Sequence, residues 1–328
     1  MVRRVLRAAL VVSLALVAAA YYGDYEGDSL GYNSYGGGYD DYDGCYYGDC
    51  GEDRANAEST DGEGKEVEAQ VTSGEVTQKG YMIALYRMLT PEFGQHVCGG
   101  FLYTPPRGEA AFVVTSAQCV RSGVSPCKYK AVTNLWDLNE FSKAQDDGQV
   151  FDIVDVAIHP GFQSRTLDND IAILRLGAVP TGQPSLNLFN RSDLRGLEPG
   201  SELIVLGWGS NTSVTRKQGK LLKGEVQYDE LEECRASYAE GVPGMTRQVT
   251  NSMLCTVATD QDACLGDTGG PVVQENGRTD LAVGIISWGA GCAETGKPSV
   301  HTSIAQLRGW MDDTIARMAM EDTAGRCY

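Results

Sequence analysis

Basic residues and histidines are scarce in this sequence, and long apolar runs are absent beyond its N-terminus. The 328 residues include 27 Lys and Arg against 44 Asp and Glu, for a formal net charge of −17, and 3 are His. Phosphate binding needs clustered Lys and Arg, so this balance argues against a nucleic-acid partner. The lack of a second apolar run argues against a transmembrane anchor and a membrane partner.

The first 20 residues have the pattern of a secretory signal peptide. Three arginines precede an apolar run at Ala8–Val17, and Ala18–Ala20 supplies a small-residue cleavage site. The alternative, an N-terminal membrane anchor, needs a longer apolar run. We therefore predict a secreted, extracellular protein. Its 10 cysteines are then disulfide candidates rather than metal ligands, and we predict no metal site and no cofactor. The sequons at Asn190 and Asn211 become candidate glycosylation sites.

Residues 21–70 consist largely of Tyr, Gly and acidic residues, with almost no aliphatic side chains. Such a segment cannot bury enough apolar area to offset its ordering entropy, so we predict that it is disordered. Most of the negative charge of the chain belongs to it. It is interpreted as a propeptide, as a tyrosine-rich contact segment for a matrix or cell wall, or as a solvated linker.

Residues 71–328 have a different pattern, with short Val-, Ile- and Leu-rich runs separated by Gly and Pro. The runs are Tyr81–Met88, Phe112–Thr115, Val150–Ile158, Asp170–Leu176, Glu202–Gly207 and Leu281–Ile286. Many short strands between turns indicate a β-sandwich or barrel. Helical spacing is convincing only near the end of the chain, at Ile304, Leu307, Trp310, Met311 and Ile315. The pattern predicts an all-β domain with a C-terminal α-helix.

Several segments of this domain carry the motifs of a known family in the correct order. They are Cys98-Gly-Gly with Val113-Val-Thr-Ser-Ala-Gln-Cys119, Asp168-Asn-Asp-Ile-Ala-Ile-Leu174, Asp262-Ala-Cys-Leu-Gly-Asp-Thr-Gly-Gly-Pro271 and Ser287-Trp-Gly-Ala-Gly-Cys292. Over roughly residues 71 to 318 the chain resembles the trypsin/chymotrypsin-like (S1) serine proteases. The resemblance implies two antiparallel six-stranded β-barrels with a C-terminal α-helix and an active site in the cleft between them.

The resemblance assigns the three triad positions to Gln118, Asp170 and Thr268. Asp170 is the residue type of the family, whereas Gln118 stands in place of histidine and Thr268 in place of serine. A carboxamide has no usable basicity near neutral pH, so Gln118 can accept a hydrogen bond but cannot act as a general base. Threonine has a stiffer χ1 than serine, in a loop that the family builds for serine.

Other family positions follow from the same resemblance. Gly266 and Thr268 would supply the backbone donors of an oxyanion hole. The implied substrate pocket consists of Asp262, Ser287, Trp288, Gly289 and Ser299. By this resemblance Asp262 occupies the position that gives trypsin its preference for Arg and Lys, but Ser299 stands where the family has glycine, and His301 where it usually has tyrosine. We therefore expect long basic side chains to fit poorly.

Activation of the family requires cleavage after a basic residue, and the new ammonium group then pairs with the aspartate before the nucleophile. Here Gln70 stands where Arg or Lys is expected, and Asp267 is the aspartate. The resemblance thus implies that the domain stays zymogen-like, unless Asp267 is satisfied by other buried polar groups.

The resemblance also implies the disulfides Cys98–Cys119, Cys234–Cys255 and Cys264–Cys292. The remaining cysteines are Cys45, Cys50, Cys127 and Cys327, which allow three connectivities that the sequence leaves open.

Two functional hypotheses follow. In the first, the protein is a non-catalytic S1 homologue that binds an extracellular protein as an inhibitor, decoy or adaptor, with a host or self hydrolase or protease as its partner. Oomycete glucanase inhibitor proteins are homologues of this kind. In the second, it is a serine-type endopeptidase of trypsin-like specificity that retains weak activity through Thr268.

Overall fold

The computed structural model describes residues 75–90, 93–120, 125–209, 219–239, 248–258, 268–277, 279–289, 297–322 and 327. The predicted signal peptide and the segment 21–70 lie outside these residues. So do several predicted positions: Cys45, Cys50, Gln70, Asn211, Asp262, Gly266, Asp267 and the pair Cys264–Cys292.

The described residues form fourteen strands and three α-helices. The strands are β1 (Glu75–Val76), β2 (Met82–Met88), β3 (Gly94–Tyr103), β4 (Phe112–Thr115), β5 (Tyr129–Thr133), β6 (Val150–Ile158), β7 (Ala172–Leu176), β8 (Asn187–Leu188), β9 (Glu202–Gly207), β10 (Leu222–Asp229), β11 (Met253–Ala258), β12 (Pro271–Gln274), β13 (Leu281–Trp288) and β14 (Ser299–Ser303). The helices are α1 (Phe141–Asp146), α2 (Leu231–Ala239) and α3 (Ile304–Met320).

The first barrel is a closed antiparallel sheet in the order β2-β3-β4-β7-β6-β5, with β5 pairing back to β2. Strand β2 shows why the sequence lacks a simple alternation of apolar and polar residues. Ile83 and Leu85 pack in the core of this barrel, whereas Ala84 and Tyr86 pack in a larger cluster shared with the second barrel. A strand that is buried on both faces reads as a continuous apolar run.

The second barrel contains β9, β10, β11, β14, β13 and β12, and β9 closes the ring by pairing with both β10 and β12. Strand β1 adds to β10, and β8 pairs parallel to β13. Two closed six-stranded antiparallel barrels followed by a C-terminal helix confirm the predicted fold.

Helix α3 also confirms the predicted spacing, because it buries Ile304, Leu307, Met311 and Ile315 on one face. Trp310 lies at the edge of that face, where its ring contacts the His159 ring at a centroid distance of 4.9 Å.

Two shorter helices, α1 and α2, precede α3, and the sequence shows no convincing helical spacing at either. Helix α2 buries only Cys234 and Tyr238, one turn apart, and α1 buries only Ala144. Such short helices with so few apolar positions leave little periodicity to detect. No helix in the described part of the chain is long and apolar enough to span a membrane.

Polar contacts join the two barrels beside the shared core. The Lys79 ammonium group lies 2.6 Å from the Glu275 carboxylate and 2.9 Å from that of Asp280, on the hairpin between β12 and β13. The buried Tyr81 hydroxyl donates to Asp280 at 2.8 Å, and burial together with this carboxylate raises the pKa of Tyr81. These contacts hold the start of β2 against the second barrel.

Candidate functional site

Asp170 is a buried carboxylate at the junction of the two barrels. Its Oδ1 accepts a hydrogen bond from the Gln118 backbone N–H at 2.9 Å. Its Oδ2 accepts from Gln118 Nε2 at 2.5 Å and from Ser287 Oγ at 2.6 Å. The Asp170 backbone carbonyl accepts from Thr302 Oγ1 at 2.8 Å. Donors on β13 and β14 of the second barrel therefore fix a residue of the first.

The backbone before β7 delivers Asp170 to this position. Leu167 and Asn169 have left-handed φ values of 57° and 53°, so the chain turns sharply on either side of Asp168. The Asp168 carboxylate accepts hydrogen bonds from Thr250 and Ser252, which hold the turn in place. Strand β7 consequently begins at Ala172, whereas the apolar run in the sequence predicted a start at Asp170.

Burial raises the pKa of Asp170 above its usual value, because it disfavours the ionised form. Hydrogen bonds from the Ser287 hydroxyl and from Gln118 act in the opposite direction but do not cancel this effect. Within the described residues, the side chains that donate to the Asp170 carboxylate are those of Gln118 and Ser287, and both are uncharged.

Gln118 lies in a 3₁₀ turn, Ala117–Cys119, that directly follows β4. The disulfide Cys98–Cys119 ties this turn to β3. Gln118 Nε2 donates to Asp170 Oδ2 and, at 3.1 Å, to the backbone carbonyl of Ser287. Both partners are acceptors, which assigns the amide nitrogen rather than the oxygen to this side. Both amide protons therefore take part in hydrogen bonds, and the amide links the first barrel to β13 of the second.

Thr268 is placed by a backbone that only glycine can adopt. Gly269 has φ of +90°, and a Cβ there would lie 2.2 Å from Thr115 Oγ1 and 2.5 Å from the Gly99 carbonyl oxygen. Gly99 N–H donates to the Thr268 carbonyl at 3.0 Å, so the loop is attached to β3 of the first barrel. Among the described residues, no hydrogen bond joins the Thr268 hydroxyl to Gln118.

Four of the five predicted pocket residues lie together at the ends of two paired strands. Ser287 and Trp288 are buried at the end of β13, Gly289 follows them, and Ser299 begins β14. The Trp288 ring packs against Tyr238 at 5.1 Å, within a cluster that also contains Leu167. Ser287 has a second role that the sequence did not indicate, because its hydroxyl donates a hydrogen bond to the Asp170 carboxylate.

None of the three histidines hydrogen bonds with Asp170 or Thr268 in the part of the chain that the structure describes. His301 is buried, its Nε2 lies 2.8 Å from Thr256 Oγ1, and burial lowers the pKa of His301 to about 3. The rings of His96 and His159 pack against tryptophans instead. Likewise, the described residues contain no group of three or more His, Cys, Asp or Glu placed to hold a metal ion.

Sequence comparison adds an independent observation. Residues 70–311 match the family model described as Trypsin. The chain belongs to the trypsin family. Trypsin epsilon of Drosophila erecta is 29% identical over 231 residues, which cover 70% of this chain and 82% of that protein. Trypsin alpha of Drosophila melanogaster is 30% identical over 223 residues, covering 67% and 78%. Trypsin of Sarcophaga bullata is 30% identical over 224 residues, covering 68% and 80%.

Among solved structures, the secreted serine protease VesC from Vibrio cholerae has a similar fold, with a TM-score of 0.59 and 24% identity. The match covers 74% of this chain and 48% of VesC, so the chain spans about half the length of that protein. The trypsin-family architecture agrees with the two barrels described above.

Sequence reasoning missed two residues of the site. Thr302, which donates to the Asp170 carbonyl, lies on β14 with Ser299 and His301, and the sequence indicated pocket positions for those two only. Gly99 belongs to a motif that indicated only the family resemblance. Only the packing of the two barrels brings Thr302 to the Asp170 carbonyl and Gly99 to the Thr268 carbonyl.

Proposed function

We propose that this trypsin-family protein is a secreted pseudoprotease that acts by binding an extracellular protein. The observation that carries the proposal is the double hydrogen bond from Gln118 Nε2 to Asp170 and to the Ser287 carbonyl. In an active member of the family, a histidine at this place takes the proton of the nucleophile. The amide of Gln118 has no such capacity, and both of its protons are already used.

The size of the expected loss supports binding over catalysis. Removing the base or the nucleophile from a serine protease triad costs about 10⁶ in turnover. The residual rate, about 10³–10⁴ over water, comes from binding and the oxyanion hole. No histidine in the described residues is placed to compensate, and Thr268 has no base as a hydrogen-bond partner there.

The sequence around the activation site supports the same proposal. Gln70 offers no basic residue for a trypsin-like activator, so the ammonium group that would pair with Asp267 is not generated there. Loss of base, nucleophile and activation cleavage together leaves a scaffold with a preserved cleft. Such a scaffold is suited to bind a hydrolase or protease as an inhibitor, decoy or adaptor.

Labelling with a fluorophosphonate probe, together with assays on Arg and Lys peptide substrates, tests the lack of catalysis. We expect neither labelling of Thr268 nor hydrolysis. The double variant Gln118→His with Thr268→Ser is the matched control, and we expect it to recover little activity until Gln70 is also made cleavable. Labelling of wild-type Thr268 with turnover would contradict the proposal.

A binding role is tested by recovering the partner from the protein's natural extracellular fluid and measuring its affinity for the purified protein. Wild type and the double variant Gln118→His, Thr268→Ser should bind with equal affinity if catalysis is irrelevant. Absence of any saturable extracellular partner would argue for the second hypothesis.

That second hypothesis is a weak trypsin-like endopeptidase. It is favoured by the Asp170 network, in which Ser287 donates to the carboxylate and Thr302 donates to the backbone carbonyl of the same residue. If this second hypothesis holds, hydrolysis of Arg and Lys peptide substrates should be lost in Thr268→Ala and should persist in Gln118→Ala.

Secretion would also allow glycosylation at Asn190. Its side chain is exposed, and Asn190 Oδ1 accepts a hydrogen bond of 2.5 Å from Arg308. The amide nitrogen, which is the atom that carries an N-linked sugar, lies on the other side of the group. A mobility shift on glycosidase treatment that is lost in Asn190→Gln would support this site, whereas an unshifted secreted protein would exclude it.

A further inference from the structure

The disulfide Cys127–Cys327 differs from the two others found among the described residues. Cys98–Cys119 and Cys234–Cys255 each join cysteines 21 residues apart, the former within the first barrel and the latter between α2 and β11 of the second. Cys127–Cys327 joins cysteines 200 residues apart, so its loop includes the whole second barrel. It is a covalent link between the first barrel and the end of the chain.

The path of α3 explains what this link does. The helix follows β14 of the second barrel directly, at Ser303. Arg308, in its second turn, donates to the carbonyl of Leu188 beside that barrel. The helix therefore begins on the second barrel.

The far end of α3 lies on the first barrel. Arg175 of β7 donates from Nη1 to the backbone carbonyls of Met318 and, at 2.6 Å, Glu321. Farther along, Cys327 Sγ lies 3.4 Å from the backbone oxygen of Ile153 in β6. Cys127 meets it from the 3₁₀ turn Pro126–Lys128 that precedes β5. The helix and its disulfide thus form a strap across both barrels.

The cysteines of the strap are more exposed than the other bonded cysteines. Cys127 and Cys327 are both partly exposed. The four cysteines of the other two described disulfides have at most 7% of their surface exposed. A thiolate must reach a sulfur atom to break a disulfide, so access decides which bond is attacked first.

We propose that Cys127–Cys327 is a redox-sensitive strap, which a dithiol reductant opens in the folded protein while the buried disulfides stay closed. One thiolate of the reductant attacks a sulfur of the pair, which breaks the S–S bond and forms a mixed disulfide. The second thiol of the reductant then displaces the protein cysteine. The products are two protein thiols and the disulfide form of the reductant, so two electrons pass to the protein.

Opening the strap leaves the fold in place but removes the disulfide with the longest loop among the described cysteines. The buried face of α3, including Met311 and Met318, and the two hydrogen bonds from Arg175 still attach the helix to both barrels. The unfolded chain, however, gains the freedom of a loop of 200 residues. The strap is closed in an oxidising extracellular fluid and opens on transfer to a reducing compartment.

The test is partial reduction of the folded, full-length protein with dithiothreitol, trapping by iodoacetamide, and peptide mapping of the labelled cysteines. Cys127 and Cys327 should be alkylated at reductant concentrations that leave the four buried cysteines unlabelled. The same treatment should lower the Tm by roughly 10 °C, the size expected for a long closed loop in a domain of this length. Labelling of Cys98, Cys119, Cys234 or Cys255 at the same concentration would overturn the proposal.

The double variant Cys127→Ser, Cys327→Ser separates the strap from general effects of the reductant. Its Tm should equal that of the partially reduced wild type and should not change further with mild dithiothreitol. Arg175→Gln is the matched control at the same junction, because it removes the hydrogen bonds to α3 but keeps the disulfide, and its Tm should still fall on reduction. A double variant whose Tm remains sensitive to the reductant would also contradict the strap.

Discussion

The side-chain amide of Gln118 donates a 2.5 Å hydrogen bond to the buried carboxylate of Asp170. The aspartate orients the amide, and a carboxamide has no usable basicity with which to take a proton near neutral pH. The Ser287 hydroxyl donates to the same oxygen, so two neutral side chains among the described residues donate to this carboxylate. We therefore expect this arrangement to stabilise the fold.

Removing the Gln118 amide should destabilise the fold, because a buried carboxylate loses a donor. For Gln118→Ala we expect a decrease of about 1.5–3 kcal/mol in the free energy of unfolding, the range for a hydrogen bond to a charged group. Urea denaturation at neutral pH measures it. Gln118→His, whose ring N–H restores a donor, should lose much less. Equal stability of Gln118→Ala and wild type would refute the structural role.

Asp170 should make stability depend on pH in one direction. Its pKa is raised in the folded state by burial, so the folded protein binds the proton more tightly than the unfolded chain does. The contribution of Asp170 to the free energy of unfolding is therefore fully present below 3.8, the pKa of this group in the unfolded chain. It is lost as pH rises through the higher pKa that the group has in the folded protein. The stability of wild type relative to Asp170→Asn should fall as pH is raised from about 3.5.

Asp313→Asn, at an exposed position of α3, is the control for this titration. It should leave the pH dependence of urea denaturation close to that of wild type. A wild type that gains stability relative to Asp170→Asn as pH rises would mean that the donors outweigh burial.

His301 should make the folding stability rise with pH, which is the opposite of the effect of Asp170. Burial lowers its pKa to about 3, so the folded state keeps it neutral while the unfolded chain takes up a proton near pH 6.5. Stability from this group is full above pH 6.5 and is lost as pH falls toward 3, with a slope of about 1.4 kcal/mol per pH unit. In His301→Tyr, which has no group that titrates in this range, unfolding curves between pH 4 and 7 should lack this slope. An unchanged slope would assign it to other groups.

Gly269 should tolerate no side chain. Gly269→Ala combines φ of +90° with a Cβ that would lie 2.2 Å from Thr115 Oγ1, and we expect a loss of more than about 3 kcal/mol. Gly108→Ala is the matched control, because its φ is also positive at 68° but no atom lies within 4 Å of the Cβ. It should cost only about 1–2 kcal/mol. Similar thermal stabilities of the two variants would show that the loop at Thr268 can shift.

The sequence by itself determined the family, the two-barrel fold and α3, because these depend on motifs and on apolar spacing that are local along the chain. The assignment of Gln118 and Thr268 to triad positions also came from the sequence, and it stays a prediction. The pairing of Cys127 with Cys327, the donor role of Ser287 and the attachment of Thr302 to Asp170 were decided by the tertiary structure alone. Each joins residues more than 100 positions apart, and such contacts depend on how the two barrels and the end of α3 pack together. No local pattern in the sequence encodes that packing.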